Sequence, residues 1–565
     1  MHLAKISIEN FRGFERIDID LDTTTVLIGE NNTGKSSILE AIRFCLSKPL
    51  SRRGNPFEDH DYFLSNNKSR PGDAGKLVIT VDFSETKQGE WIPDIVQALP
   101  DVAVLHGPLY HVTFRLTSEY DKSVSEFITD WDFLDPTGRP IPKGKRAQVL
   151  VMLQQLNPVH YLSALRDAAR EFSSRSTFWA PFLRSPSMTP ADQARLEKEL
   201  AALNEKILKA EPRLKGVVDT LAKAQKLVRL GVTDTVSIEA LPTRVWEMLS
   251  RAQVNVAGIT GANLPLSRHG AGTQSLSVIF LFQAFLESGL GGVDPLSAPI
   301  LEIEEPEAHL HPSAVRVLWR SLEGIKGQKV VASHSGDLLS EAPLHSLRRL
   351  YRKSGRIEVG RLQGNTLSQD EERKIHFHIR RTRGELLFAR CWLLVEGETE
   401  YWVFSECARI LGIDLEEEGI RIVEYSQVGA ASFVKLSNDL GIEWFCVCDG
   451  DSQGKATRKA VGGLLTGRAE KDHILELSEA NIELLLCKAG CGSVYEANVA
   501  AQKRPKLTAK PADPQYWNQV LDCQPDKFKI PCAIKAVTEI AKKGKTGVPK
   551  ELATIIRESV KLATK

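Results

Sequence analysis

The sequence has almost no net charge, no disulfide framework and no long apolar segment. Its 73 Lys and Arg residues balance 72 Asp and Glu residues, so no chain-wide positive field attracts nucleic acid or anionic lipid. The nine cysteines lack framework spacing, and no apolar run approaches the ~18 to 20 residues that span a bilayer. The first residues alternate as in a strand and do not resemble a signal peptide. These absences predict a cytoplasmic protein with free thiols and no membrane contact.

The length and composition are those of a globular protein with several domains. A chain of 565 residues, of which 42% are hydrophobic, predicts three to five domains at roughly 100 to 200 residues each. Only residues 501–565 are distinctly basic, with 14 Lys and Arg against 6 Asp and Glu. A site for a polyanion is therefore expected to be local.

Residues 29–36, GENNTGKS, form a phosphate-binding motif between a predicted strand and a predicted helix. Gly29 and Gly34 let the loop bend so that its N–H groups and the helix N-terminus face the phosphates of ATP. Lys35 is expected to contact the β and γ phosphates, and Ser36 to bind Mg²⁺. The predicted nucleotide contacts in this loop are Gly29, Asn32, Gly34, Lys35, Ser36 and Ser37.

Three later segments supply the other groups that phosphoanhydride hydrolysis needs. The apolar strand PILEIEE ends in Glu304 and Glu305; one acid can hold the Mg²⁺ shell while its neighbour, expected to be Glu305, orients the attacking water. A second strand ends in SHS and offers His334 to the γ-phosphate region. Gly272 and Ser275, in HGAGTQS, form a second predicted phosphate cradle.

In this order, NFRGF, GENNTGKSS, HGAGTQS, EEPEAHLHP and ASHS resemble the motifs of ABC-type ATPases of the SMC-like branch. The resemblance implies a head-to-head dimer, in which the signature segment of one subunit completes the ATP site of the other. The chain departs from transporters of this class by having Glu304 where Asp is usual and GAGTQS for LSGGQ.

A second acidic site is predicted after two later strands. Glu396 ends an apolar strand and Glu400 lies one helical turn further on, while Asp449 and Asp451 end the strand WFCVC. Carboxylates that meet at strand ends make a hard-oxygen site for Mg²⁺ or Mn²⁺, and two such ions assist hydrolysis of a phosphodiester. The pattern resembles a Toprim domain, the metal-binding fold of topoisomerases, bacterial primases and certain nucleases.

An ABC-type ATPase followed by Toprim is similar to the OLD (overcoming lysogenization defect) family, which includes the nuclease subunit of Gabija anti-phage systems. By this resemblance Glu396, Glu400, Asp449 and Asp451 are metal ligands, and Glu483 is a further acid. Glu396 and Asp449 are also predicted to act directly in catalysis. The family uses a lysine near the C-terminus, for which Lys545 matches best and Lys550 is the rival.

The predicted fold is α/β: an ABC-type, SMC-like ATPase domain with an inserted helical dimerisation element, followed by a Toprim α/β domain. The inserted helices either meet a partner helix or lie on their own domain. The predicted ranges are 1–180 and 246–384 for the ATPase, 181–245 for the insertion, and 385–565 for Toprim with the basic tail.

The sequence predicts an ATP-controlled, divalent-metal-dependent DNA endonuclease that acts in anti-phage defence as a homodimer or higher homo-oligomer. A helicase partner of the Gabija kind stays open. One alternative is an SMC-like DNA-binding ATPase whose Toprim domain is not catalytic. Another is a primase or topoisomerase-like enzyme, against which the absence of a zinc-ribbon spacing and of a tyrosine-bearing domain weighs.

Overall fold

The computed structural model describes residues 1–47, 55–66, 69–142, 146–163, 188–211, 213, 217, 239–249, 254–257, 261, 263–287 and 296–564. The chain forms two compact units: Met1–Leu150 with Gln328–Lys565, and Val151–Gly327. Within these ranges, no helix combines the length and the apolar character needed to cross a lipid bilayer.

The strands and helices are numbered separately in chain order. The strands are β1 (His2–Phe11), β2 (Phe14–Asp20), β3 (Thr24–Gly29), β4 (Leu77–Ser84), β5 (Val104–His106), β6 (Leu109–Asp121), β7 (Glu126–Leu134), β8 (Val159–Leu162), β9 (Asn255–Ala257), β10 (Asn263–Pro265), β11 (Ile300–Glu304), β12 (Gln328–Ala332), β13 (Leu347–Lys353), β14 (Arg356–Gly360), β15 (Cys391–Val395), β16 (Ile420–Glu424), β17 (Glu443–Cys448) and β18 (Ile474–Glu476). The helices are α1 (Lys35–Leu46), α2 (Pro93–Ala98), α3 (Arg146–Leu156), α4 (Pro190–Ala210), α5 (Val245–Leu249), α6 (Ala271–Glu287), α7 (Pro312–Gly324), α8 (Gly336–Leu339), α9 (Gln369–Arg381), α10 (Glu398–Leu411), α11 (Ala430–Leu440), α12 (Ser452–Gly462), α13 (Ile482–Leu486), α14 (Gly492–Ala497), α15 (Tyr516–Asp522), α16 (Lys529–Lys543) and α17 (Lys550–Ala563).

The first unit begins with an antiparallel sheet in the order β2-β1-β4-β6-β5, with β7 also paired to β6. The period-2 pattern of the sequence explains it, since Leu77, Ile79, Val81 and Phe83 of β4 are all buried while the residues between them are partly exposed. The strand predicted for the first residues is β1 of this sheet.

A second group of strands in the same unit holds the phosphate-binding motif. β12 and β13 each pair in parallel with β3, and β14 pairs antiparallel with β13. Residues 340–384, whose weak sequence pattern predicts the last elements of the ATPase domain and a linker, contain β13, β14 and helix α9. Buried Arg348 and Arg349 in β13 disguise this strand as a surface segment.

The third sheet of this unit is parallel, in the order β16-β15-β17-β18. β15 is apolar and buried along its whole length, and all of β17 except its first residue is buried. Helix α17 packs against both strands. Trp392 of β15 and Trp444 of β17 are fully buried. The carboxyl ends of β15 and β17 therefore lie side by side.

In the second unit, β8 and β11 form a parallel pair and β9 and β10 an antiparallel one. The first half of the predicted helical hairpin is helix α4, which Pro190 starts and the side chain of Thr189 caps. The second half lies mostly outside the described residues, and the dimerisation role of the pair stays a prediction.

Candidate functional site

The phosphate-binding loop runs from the end of β3 to the start of α1. Gly29 has a φ of 149°, and a Cβ there would lie 2.3 Å from the carbonyl oxygen of Leu350. Gly34 has a φ of 88° and lies against the ring of Phe14. Both positions therefore require glycine. Asn32, between them, also has a positive φ, of 61°.

Lys35 folds over this loop. Its ammonium donates to the carbonyl oxygens of Gly29 and Glu30, at 2.9 Å each, and the side chain is buried. Ser36 and Ser37 follow in the first turn of α1, with Ser36 exposed. The loop thus has the backbone shape and the cation of a phosphate site.

His334 lines a cavity of 370 Å³ beside the same loop. The cavity wall also contains Glu30 from the loop, and Arg390 and Arg421 from the region of β15 and β16. The Nε of Arg390 donates to the Glu30 carboxylate at 2.6 Å. His334 was predicted near a phosphate, and the structure places it between the phosphate-binding loop and the third sheet.

The two acids predicted for ATP hydrolysis end β11, in the second unit. The carboxylate of Glu304 accepts a hydrogen bond from the hydroxyl of Tyr161 on β8. Glu305 has a φ of 43°, a left-handed backbone that non-glycine residues seldom adopt. Their roles in binding and hydrolysis stay predictions.

The signature segment of the second unit packs closely on the loop after these acids. A Cβ on Gly272 would lie 2.8 Å from the carbonyl oxygen of His309. His309 itself has a φ of 65°. Ser275, one turn further along α6, is buried. Glycine at position 272 is therefore set by a close backbone approach.

The predicted Toprim acids are gathered at the carboxyl edge of the third sheet. Glu396 directly follows β15, Asp449 directly follows its neighbour β17, and Glu400 is in the first turn of α10. Asp451 caps α12 by accepting from the N–H of Gly454 at 2.7 Å. Glu483 is the second residue of α13. Five carboxylates, which follow two adjacent strands or lie at the starts of helices, thus lie at one edge.

These carboxylates act on one another electrostatically. Burial, and then the charges of Glu400, Glu396, Glu483 and Asp451, raise the pKa of Asp449 to about 8. Burial also raises the pKa of Glu400 to about 7, with Glu483 and Glu396 adding to the rise. The strongest charges that Asp449 faces are therefore all negative.

The oxygens themselves do not meet at one point. Among the described residues, no three His, Cys, Asp or Glu side chains converge closely enough to form a ready-made metal site. Mutual repulsion of like charges favours this spread. The donor set nevertheless fits Mg²⁺ or Mn²⁺, since it consists of hard carboxylate oxygens with an excess of negative charge.

The structure separates Lys545 from the carboxylates. Its Nζ lies beside Gly412, where a Cβ would be 3.3 Å away, and Gly412 ends the helix that Glu400 begins. Twelve residues of helix correspond to about 18 Å. The preference for Lys545 over Lys550 is therefore not supported by its position.

Lys550 begins α17, whose first turn lies at the carboxylate edge. The carboxylate of the next residue, Glu551, accepts from the N–H and the hydroxyl of Ser478, at 2.9 and 2.7 Å. The carbonyl oxygen of Glu479, the residue after Ser478, accepts from the N–H of Gly450 at 3.0 Å. Gly450 lies between Asp449 and Asp451, so two successive hydrogen-bonded contacts connect the start of α17 with the acids.

Two glycines that the sequence interpretation passed over shape the acidic loop. A Cβ on Gly454 would lie 1.9 Å from the carbonyl oxygen of Asp449, and one on Gly450 would lie 2.5 Å from that of Glu479. The sequence signal for Gly454 is a glycine in the first turn of a helix, three residues after the acid Asp451. Gly450 and Gly454 both allow the loop to close on itself.

Comparisons with known proteins agree with this architecture. Residues 1–385 match the family model described as "Protein of unknown function (DUF2813)". Residues 387–451 match the model described as "Overcoming lysogenization defect protein-like, TOPRIM domain". The latter range contains Glu396, Glu400, Asp449 and Asp451.

Two relatives cover most of the chain. "Uncharacterized protein YbjD" of Escherichia coli (strain K12) is 32% identical over 503 residues, 88% of each chain. "OLD nuclease" of Thermus scotoductus (strain ATCC 700910 / SA-01) is 25% identical over 484 residues, 80% of this chain and 82% of the relative. The Smc head domain with an extended coiled coil from Pyrococcus furiosus covers 67% of this chain and 99% of its own, at 13% identity and a TM-score of 0.39.

The predicted α/β class and the Toprim domain are confirmed. The ranges predicted for the individual domains stay predictions. With two family models that together span residues 1–451 and a nuclease relative along most of its length, the chain belongs to the DUF2813 family and to the OLD family of Toprim nucleases.

Proposed function

We propose that the protein is an ATP-controlled, divalent-metal-dependent DNA endonuclease. The observation that carries the proposal is the shared carboxylate edge, at which Glu396 and Asp449 directly follow adjacent parallel strands and the charge of Glu396 helps to raise the pKa of Asp449. A buried acid with a pKa of about 8 among other acids is unfavourable for the fold alone, and such perturbed groups are typical of functional sites. The relative named OLD nuclease supports the same activity.

Five acids would hold the ions: Glu396, Glu400, Asp449, Asp451 and Glu483. Mg²⁺ or Mn²⁺ bound there supplies charge neutralisation and an activated water for phosphodiester hydrolysis. The chain's own part is to position these acids, since Gly397 donates to Glu400 at 3.0 Å and Gly454 fixes Asp451.

A cation that stabilises the developing negative charge on the phosphate completes the site. We assign this role to Lys550 in place of Lys545, because Lys550 begins a helix whose first turn is bonded to the loop next to Asp449. The positive end of that helix dipole adds to the ammonium charge. Lys550 is exposed, which leaves its side chain free to reach a bound strand.

ATP control is supported by the loop geometry. The phosphate-binding loop has its strained glycines and its buried Lys35 in place, and its Glu30 is paired with Arg390 next to β15. ATP bound by this loop would lie beside a residue that contacts the nuclease domain. Dimer formation through the ATPase heads is a part of the proposal that rests on the family, and a helicase partner stays open.

The direct test is incubation of the purified protein with supercoiled plasmid and Mg²⁺ or Mn²⁺, with and without ATP. We expect nicked or linear DNA from the wild type and from Glu417→Gln, an exposed acid outside the cluster. Asp449→Asn and Glu400→Gln should lose cleavage by about 100-fold or more. Unchanged DNA with wild-type protein, together with DNA-stimulated ATP hydrolysis, would favour the DNA-binding ATPase. Religated topoisomers would favour the topoisomerase-like enzyme.

Metal binding is tested separately from cleavage. Mg²⁺ or Mn²⁺ should raise the melting temperature of the wild type, because an ion that binds only the folded protein stabilises it. The shift should vanish in Asp449→Asn and persist in Glu417→Gln. An equal shift in all three proteins would contradict the metal site.

The anti-phage role rests on the family alone. Expression in a susceptible bacterium should lower the plating efficiency of some phages, and Asp449→Asn should remove the protection. Equal plating with both proteins on every phage tested would contradict this part of the proposal.

A further inference from the structure

Helix α9 (Gln369–Arg381) presents a stripe of two cations and one aromatic ring. Arg373, Phe377 and Arg381 are spaced four residues apart, so they lie on one helix face. Phe377 is 65% exposed, the largest fraction among the described large hydrophobic side chains. The opposite face packs into the domain through Ile375 and Ile379, which are fully buried. Packing of the domain core therefore does not account for the stripe.

The stripe borders a cavity of 300 Å³. Its lining consists of Arg373, Lys374, Phe377, His378, Gln427 and Val428. The last two belong to the loop that follows β16, at the same carboxyl edge as the acids. Directly before them, the N–H of Ser426 donates to the carbonyl oxygen of Glu396 at 3.0 Å. One wall of the cavity is thus continuous with the backbone of a proposed metal ligand.

Arg381 extends the stripe to the same edge. Glu424, the last residue of β16, pairs in register with Val395, the residue before Glu396. Burial raises the pKa of Glu424, and the nearby Arg381 guanidinium opposes that rise. The stripe therefore runs from the cavity to the neighbourhood of the carboxylates.

Neither arginine of the stripe is held in a close ion pair, although Arg381 interacts with Glu424 over a longer distance. Other cations of the helix are neutralised: Lys374 pairs with Asp370 at 2.8 Å, and Arg380 with Glu341 at 3.0 Å. Within the described part of the chain, Arg373 and Arg381 form no salt bridge. Exposed cations on either side of an exposed ring are the arrangement that binds unstacked nucleic acid.

We propose that the α9 stripe and its cavity hold the DNA strand next to the bond that is cut. Phe377 stacks on a base, and Arg373 and Arg381 contact phosphates on either side of it. Their separation of eight helical residues is about 12 Å, so both guanidinium groups can reach the backbone of one strand that passes Phe377. This assignment rests on the proposed nuclease function, since it places the strand by the carboxylate edge.

The test measures DNA binding and cleavage separately. Anisotropy of a labelled single-stranded oligonucleotide, in EDTA so that nothing is cut, gives the affinity of full-length variants. Phe377→Ala should weaken binding about 5- to 100-fold, and Phe377→Trp should restore it. Arg373→Ala with Arg381→Ala should lower the salt slope of binding by about two. Arg409→Ala, an exposed arginine on α10, is the matched control and should bind as the wild type does.

Plasmid nicking in Mg²⁺ distinguishes the two proposals. Binding that depends on Phe377 supports the stripe, and if the wild type also fails to nick, the nuclease proposal alone is overturned. Nicking by the wild type with unchanged oligonucleotide affinity in Phe377→Ala overturns the stripe alone. Wild-type protein that binds no oligonucleotide overturns the stripe as well. Phe377→Tyr, with a similar exposed ring, excludes a folding defect as the cause.

Discussion

The carboxylate of Glu30 accepts from the Nε of Arg390 at 2.6 Å. Glu30 is the second residue of the phosphate-binding motif, and Arg390 directly precedes β15, the strand that ends in Glu396. Both side chains line the cavity that also contains His334 and Arg421. A short charged contact therefore joins the loop that would hold ATP to the strand that positions a nuclease acid.

Loss of the Glu30–Arg390 pair should change the effect of ATP on cleavage more than it changes the cleavage rate itself. Both side chains are about half exposed, so the pair contributes at most about 1 kcal/mol, or about a fivefold change in an equilibrium. The quantity to measure is the nicking rate with ATP divided by the nicking rate without ATP. We expect Arg390→Ala to bring this ratio closer to one, by a factor of up to about five. Arg409→Ala breaks a comparable surface pair with Glu406 and should leave the ratio unchanged. An unaltered ratio in Arg390→Ala would exclude this route.

Arg349 of β13 makes a more extensive connection to the Toprim region than the Glu30–Arg390 pair does. Its guanidinium donates to the carbonyl oxygens of Leu387, Ala389, Leu440 and Gly441, at 2.7 to 3.2 Å. Burial lowers its pKa to about 10. One side chain on β13 thus satisfies four backbone acceptors from the Toprim region.

Loss of this guanidinium should destabilise the Toprim region. Arg349→Met leaves the carbonyl oxygens without donors, at a cost of about 3 to 5 kcal/mol in the free energy of unfolding. Arg349→Lys should cost less, about 2 kcal/mol, because three rotatable donors replace a planar fork. Denaturant unfolding followed by tryptophan fluorescence reports this, since Trp392 and Trp444 are buried nearby. Wild-type stability in Arg349→Met would contradict the role.

The position of the acids at one sheet edge was predictable because it depends on local pattern. Each of Glu396 and Asp449 follows an apolar strand, and parallel strands bring their carboxyl ends to one edge. The phosphate-binding loop was predictable for the same reason, since Gly29, Gly34 and Lys35 act within one short segment.

What depends on distant packing was not predictable. The basic tail contains many lysines, and no periodicity indicates which helix end faces the acids, so the choice between Lys545, preferred from the family resemblance, and Lys550 stays a prediction. Buried Arg348 and Arg349 made β13 look like a surface segment, because arginine is seldom buried. The Glu30–Arg390 pair joins residues 360 positions apart, a relationship that one sequence does not contain.

Glu371 should make stability depend on pH. It caps α9 and accepts from the ammonium of Lys435 and the hydroxyl of Ser432, at 2.8 and 2.9 Å. Burial raises its pKa, but the bonds to Lys435, Ser368 and Ser432 outweigh this and lower the pKa to about 2. The stabilisation is thus complete above the unfolded pKa of 4.5 and is lost as the pH falls towards 2.

The variant Glu371→Gln should show this directly. At neutral pH it should lower the free energy of unfolding by about 1 to 2 kcal/mol, and the difference from the wild type should shrink as the pH falls from 4.5 towards 2. Glu417→Gln, an exposed acid, supplies the control. A difference that is constant with pH would show that the lowered pKa of Glu371 does not contribute.

Gly454 offers the sharpest test of how the acidic loop is built. A methyl group there would meet the carbonyl oxygen of Asp449 at 1.9 Å, whereas one on Gly462, at the other end of the same helix, meets nothing within 4 Å. Gly454→Ala therefore has to displace the backbone of Asp449, and Gly462→Ala does not. We expect Gly454→Ala to lose the Mg²⁺-dependent rise in melting temperature and to cut DNA at least about 100-fold more slowly, because an acid moved by 1 Å no longer positions the ion.

Gly462→Ala should retain metal binding and cleavage. Because alanine is favoured over glycine in a helix by up to about 1 kcal/mol, it should be as stable as the wild type or slightly more so. The two glycines share one helix, so a general defect of that helix would affect both variants. Loss of cleavage in Gly454→Ala with unaltered metal binding would mean that the loop serves the DNA strand and not the ion, and equal activity of the two variants would show that Asp449 needs no such closure.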